Sequence, residues 1–151
     1  MPSPREMAEL VRRMVEGKEG IEFADLFAPD GIMEYPFSIP GLPLTLDGQD
    51  AIREFFAARA GLRNLFDMAE VTAEVYETDD PEVVITEIRH HGYAHATNTP
   101  YEMRALGIIR VRNGKIVHYR DYMNPLSLAK YTGRLPELIS AVSGSGTGDG
   151  H

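Results

Sequence analysis

The chain contains no cysteine. That excludes a disulfide framework, a zinc–thiolate site, an iron–sulfur cluster and a thiol nucleophile. Long apolar runs are also missing, and none approaches the length that spans a bilayer. Met1 to Gly20 lacks the apolar stretch of a secretory leader, so a soluble, cytoplasmic protein is the expectation. Positive charge is scarce: 15 Lys+Arg stand against 23 Asp+Glu, a formal net charge of −8. Phosphate backbones are held by clustered positive charge, so neither nucleic acid nor a membrane is expected as a partner. No Gly-rich phosphate loop, Walker pattern or Gly-x-Ser-x-Gly elbow occurs.

What remains is ordinary globular composition, 43% hydrophobic and 25% charged over 151 residues. That length carries one domain with a real core. Ser3-Pro4-Arg5-Glu6 has the form of a capping box, and Met7, Leu10, Val11 and Met14 give the following helix one apolar face. Ile21 to Phe27 reads as a short second helix, Pro29-Asp30-Gly31 as a break, and Ile32 to Phe37 as a strand. Pro36, Pro40, Gly41 and Pro43 then make a stiff loop with unusually apolar side chains, Phe37, Ile39, Leu42, Leu44 and Leu46. Such a loop covers either the protein's own core or one wall of a ligand pocket. Asp47 is positioned to cap a third helix carrying Ile52, Phe55 and Phe56 and ending near Gly61.

From there the pattern changes to strands at 68–78, 82–95, 101–112 and 115–123, rich in Val, Ile, Thr and Tyr. Asn113-Gly114 is the strongest local signal, because a two-residue hairpin turn requires positive φ at both positions. Leu126 to Tyr131 reads as one more short helix. Residues 1–133 form a single domain in this reading. Residues 134–151 are an extension whose Ser143–His151 tail is of low complexity and expected to be disordered. Helices segregated from a run of antiparallel strands predict an α+β fold, a curved sheet wrapped around three N-terminal helices in a cone. The concave side of such a sheet is a natural small-molecule cavity.

Which residues enter that cavity depends on strand register. An unbroken two-residue turn at Asn113-Gly114 pairs Arg112 with Lys115 and Leu106 with Asp121. Asp121 then shares a face with Arg104, Leu106, Ile108, Val117, Tyr119 and Met123. The other face holds Met103, Ala105, Gly107, Ile109, Val111, Ile116, His118, Arg120 and Tyr122. A β-bulge would exchange the faces. Alternation in the preceding strand puts His91 and His95 with Arg89 and Tyr93, and His90 opposite them. Arg53, Arg59 and Arg63 read as a solvated helix face. No pattern supports a metal site.

Several strings carry a family resemblance: Leu26-Phe27-Ala28-Pro29-Asp30-Gly31, Glu34-Tyr35-Pro36-Phe37, Gly48-Gln49-Asp50-Ala51-Ile52-Arg53-Glu54-Phe55-Phe56, and Asn113-Gly114 through Asp121-Tyr122-Met123-Asn124-Pro125. With the element order, they resemble the nuclear transport factor 2-like superfamily, and within it the polyketide cyclase SnoaL-like and ketosteroid-isomerase-related group. Phenazine biosynthesis A/B proteins are similar relatives. The resemblance implies a homodimer and a carboxylate in the cone that acts as acid or base without cofactor or metal. Where the steroid isomerases carry an Asp at the end of the first strand, this sequence has Tyr35. Where the phenazine and SnoaL-like relatives carry an acidic residue on the last strand, it has Asp121.

The expected site is therefore Asp121, Tyr35 and His91 as catalytic groups, with Arg104, Tyr119, Phe37, Phe56 and Met123 around the substrate. Asp121 would shuttle a proton in an enolisation, cyclisation or dehydration of a small, mostly apolar carbonyl compound. Tyr35, Arg104 or a His would stabilise the oxyanion. Three alternatives stand beside this: a non-catalytic small-molecule binder with the same cavity, an epoxide hydrolase using Asp121 and Arg104, and a purely structural dimer module with a filled cone.

Overall fold

The computed structural model of the chain describes residues 1–17 and 19–144. The capping box forms as its spacing predicts. Ser3 Oγ accepts the Glu6 amide at 3.1 Å, and the Glu6 carboxylate accepts the Ser3 amide at 2.9 Å. Helix α1 (Pro4–Glu16) runs from this cap to Gly17, which ends it at a φ of 81°. Met7, Ala8 and Val11 are its buried face, packed over the later strands.

The second helical signal yields only a 3-10 turn, Phe23–Leu26, and strand β1 (Phe27–Glu34) starts immediately after it. Pro29-Asp30-Gly31 therefore lies inside a strand. The pairing of β1 with its neighbour is irregular between Phe27 and Ile32, so the proline costs no ladder bond there. A short β2 (Thr45–Asp47), unforeseen from sequence, closes back on β1. Helix α2 (Gln49–Ala58) follows, with Gly48 rather than Asp47 as its cap residue, and a 3-10 turn (Ala60–Leu65) leads into the sheet.

The four strands then follow the expected order: β3 (Phe66–Glu77), β4 (Val83–Ala94), β5 (Thr99–Arg112) and β6 (Lys115–Met123). Together with β1 and β2 they form one curved, unclosed six-stranded sheet in the order β2-β1-β6-β5-β4-β3. Every neighbouring pair is antiparallel except β1 and β6, which run parallel. At the β3 bulge between Met68 and Glu70, Gly92 makes room. A Cβ there would stand 1.9 Å from the Asp67 carbonyl oxygen. Helix α3 (Pro125–Tyr131) is capped by Asn124, whose side chain accepts the Leu126 and Ser127 amides.

Beyond residue 133, helix α4 (Leu135–Ile139) buries Leu138. The expected low-complexity tail lies, from residue 145 on, outside the described residues. The core is a layer between the helices and the inner sheet face, with Phe27, Met33, Ile52, Val84, Ile109 and Ile116 nearly free of solvent contact. Among the described residues no helix is long and apolar enough to cross a membrane.

Candidate active site

The hairpin at Asn113-Gly114 decides the geometry of the site. Both residues take positive φ, 53° and 76°, and Arg112 pairs with Lys115 as the turn demands. The ladder then slips by one residue. Val111 pairs with Ile116 and Arg110 with His118, leaving Val117 as the extra residue of a bulge. Past this point Leu106 faces Tyr122, and Gly107 faces Asp121. Asp121, Tyr119 and Met123 consequently share the inner face with Met103, Ala105, Gly107 and Ile109, a combination of the two sets that an unbroken turn would keep apart.

These strands, α2, the proline loop and α3 enclose a largely apolar cavity of about 840 Å³. That is within the usual size of small-molecule sites. Asp121 stands in its wall beside Tyr119, Tyr35, Phe55 and Phe56. The Asp121 carboxylate accepts no side-chain hydrogen bond among the described residues. Burial pushes its pKa up to about 7, with no offsetting cation. Tyr119 is buried, its ring packed against Phe23 and Phe27. Its hydroxyl lies over Gly107, where a Cβ would be 3.0 Å away. Burial first, then the Asp121 charge, holds the Tyr119 hydroxyl well above the usual phenol range. Tyr35 is raised for the same two reasons, against an opposing pull from Arg59. Its hydroxyl makes only a long contact to Met33 Sδ, 3.8 Å. Two protonated phenols thus accompany one carboxylate in an apolar setting.

Of the residues expected at the site, Asp121, Tyr35, Tyr119, Phe56 and Met123 line the cavity. His91 does not. It points from the outer sheet face, its side chain 52% exposed and paired with Glu70 at 3.2 Å. Phe37 is likewise outside, 57% exposed and set edge-on against Tyr122. Leu42 is the proline-loop residue that reaches both core and cavity. Arg104 borders the cavity, but its guanidinium lies on the outer face, 3.9 Å from Glu87, and the bulge in β6 sets Asp121 on the opposite side of the sheet. The pairing of Asp121 with Arg104 that an unbroken ladder implies is not formed. Glu34 also faces outward and bonds to His118.

Among the lining residues outside the expected set are His90, Arg59, Arg63 and Asp67. His90 points inward and shares a 2.9 Å hydrogen bond with the Tyr101 hydroxyl. Burial, followed by the Arg63 charge, lowers its pKa. The signal was available, since Val84 and Ile88 share its parity and are buried. Arg59 and Arg63, read as a solvated helix face, both line the cavity. Asp67 sits at its edge with a 73% exposed side chain held on His95 at 3.1 Å. Among the described residues no three His, Asp or Glu side chains converge as metal ligands would.

Comparison with known proteins agrees with this architecture. The family model for the SnoaL-like domain matches residues 8–119. An uncharacterized PhzA/B-like protein of Pseudomonas aeruginosa is 27% identical over 133 residues, spanning 88% of this chain and 92% of that protein. The crystal structure of a Bacillus subtilis protein provisionally named an isomerase superposes with a TM-score of 0.72 at 27% identity, over 89% of this chain and 97% of its own. A Pseudomonas putida protein provisionally named a polyketide cyclase shares the fold at a TM-score of 0.62 and 16% identity, over 87% of this chain and 98% of its own. With its match over residues 8–119 and its curved sheet closing over an apolar cavity, this chain belongs to the SnoaL-like domain family.

Proposed function

We propose that the protein is an acid–base enzyme for a small, mostly apolar carbonyl compound, with Asp121 as the proton shuttle. One observation carries the reading: among the described residues, a carboxylate with no ion-pair partner lines an apolar cavity together with the two tyrosines whose hydroxyls feel its charge. A carboxylate raised to about 7 is a stronger base than an ordinary one and is still substantially ionised at neutral pH.

In the reaction, Asp121 removes a proton from the carbon beside the substrate carbonyl. The electron pair of that C–H bond moves to the carbonyl oxygen, giving an enolate. Tyr35 and Tyr119 are the neutral donors available to that oxygen. The proton on Asp121 then returns to a different carbon in an isomerisation, or leaves with a β-hydroxyl as water in a dehydration. In a cyclisation the enolate carbon attacks a second carbonyl of the same molecule, and Asp121 protonates the new alkoxide. Every step uses residues of this chain. The homodimer belongs to the same reading, and light scattering on the purified protein reads it.

The test is α-carbon deuterium exchange in D2O over a panel of small ketones, 1,3-diketones and β-hydroxy ketones, followed by mass spectrometry. Exchange by the wild type rises with pH through a midpoint near 7. Asp121→Asn loses it, and Tyr35→Phe and Tyr119→Phe each lower it by roughly ten- to a thousandfold. Wild-type exchange no faster than that of Asp121→Asn across the panel would leave a binding protein with no chemistry.

A further inference from the structure

The arginines of this acidic chain divide into two groups. Those at positions 5, 12, 13, 53, 89, 104, 110, 112 and 134 each have a carboxylate within salt-bridge distance. Among the described residues Arg59, Arg63 and Arg120 have none. Arg120 belongs to the outer sheet face. Arg59 and Arg63 line the cavity.

Each of these two makes one main-chain bond, Arg59 to the Phe55 carbonyl at 3.3 Å and Arg63 to the Met14 carbonyl at 3.1 Å. A guanidinium has five N–H donors, so most of the fork on each stays available. Arg59 is also held in place, its guanidinium carbon 3.8 Å from the centre of the Phe55 ring. The Phe55 ring in turn lies 5.7 Å from that of Tyr35. A cation is thereby fixed one aromatic ring away from the proposed reaction centre. In a protein of net charge −8, these two cations stand without acidic partners beside an apolar hollow. A ligand carrying a planar anion matches the free guanidinium fork by paired, charge-assisted hydrogen bonds.

We propose that the ligand of this cavity is an organic anion, a carbonyl compound that also carries a carboxylate, and that Arg59, seconded by Arg63, receives the carboxylate. This rests on the reading of the cavity as a site for carbonyl compounds and narrows its substrate class to keto acids. The ketone end lies toward Asp121 and the acid end toward the α2 terminus. Arg59 is here a specificity-determining residue, and the proton transfer remains with Asp121.

Calorimetric titration tests the assignment with aryl keto acids whose carboxylate stands one, two or three methylenes from the ketone, each against its primary amide. At least one acid is expected to bind about tenfold or more tightly than its amide. Arg59→Gln removes about that factor for the acid and leaves the amide within twofold. Arg59→Lys restores part of it, and Arg89→Gln, outside the cavity lining and ion-paired with Glu87, changes neither. Melting temperatures of all variants separate a binding loss from unfolding. Equal affinity for acids and amides, or no acid binding at millimolar concentration, overturns the proposal, as does an equal loss for both in Arg59→Gln. The readout is binding alone, so this proposal can fail while deuterium exchange by Asp121 stands, and the exchange can fail while anion preference stands.

Discussion

Asp121 faces Gly107 directly across the β5–β6 ladder, and the missing side chain at Gly107 is the space in which the Tyr119 hydroxyl lies. The pairing exists only because Val117 bulges out of β6. Without the bulge Asp121 would face Leu106, and the inner side of β6 would present His118 and Arg120 to the core. One extra residue in one strand thus determines whether this cavity contains a carboxylate.

Asp121→Asn should stabilise the protein in a pH-dependent way. The folded-state pKa of about 7 stands above the ordinary value of 3.8, so folding favours the protonated form. That contribution is complete below about pH 4 and is lost as pH rises to 7. The difference corresponds to about 4 kcal/mol. The wild type therefore loses stability relative to Asp121→Asn across that window, and the gap stays constant above it. Urea denaturation of both proteins at pH 4, 6 and 8 measures this. A gap that does not widen with pH would mean that the carboxylate is well solvated.

Gly107→Ala should damage site and stability together. The new methyl would sit 3.0 Å from the Tyr119 hydroxyl and 3.1 Å from its ring edge. Tyr119 is wedged between Phe23 and Phe27 and has little room to retreat. We expect a loss of about 1–3 kcal/mol, the usual cost of overpacking, together with slower α-carbon exchange. Thermal melting and the exchange assay read the two effects. An unchanged exchange rate would show that the Tyr119 hydroxyl has no part in the reaction.

His91→Ala and Phe37→Ala should be silent in the exchange assay, because both side chains lie on the outside of the sheet or loop. For His91 the stability change should stay within about 0.5 kcal/mol, as for most exposed positions. A large rate loss in His91→Ala would place that imidazole in the cavity after all.

The strand and helix plan was largely legible. The α1 capping box, the Asn113-Gly114 turn and the long Val-, Ile- and Tyr-rich runs are local signals whose physics acts within a few residues. The misread places are those where distant contacts overrule local preference. Pro29-Asp30-Gly31 breaks a chain in isolation, but an irregular pairing with β6 absorbs it within β1. Arg59 and Arg63 follow α2 with the spacing of solvated side chains, and only the folded sheet opposite makes their surroundings a cavity wall.

Composition, turn chemistry and periodicity therefore determined that this is an α+β chain with a curved sheet over its helices, while the family resemblance of the last strand is what pointed to Asp121. Tertiary structure decided which face of each strand is inward. A strand's alternation has a period of two, so it specifies that neighbours diverge but not which of them is buried. A single bulge reverses the answer for β6, and it placed Asp121 inside, on the opposite side of the sheet from Arg104. That choice is made by packing across the whole sheet, which no local stretch of sequence contains.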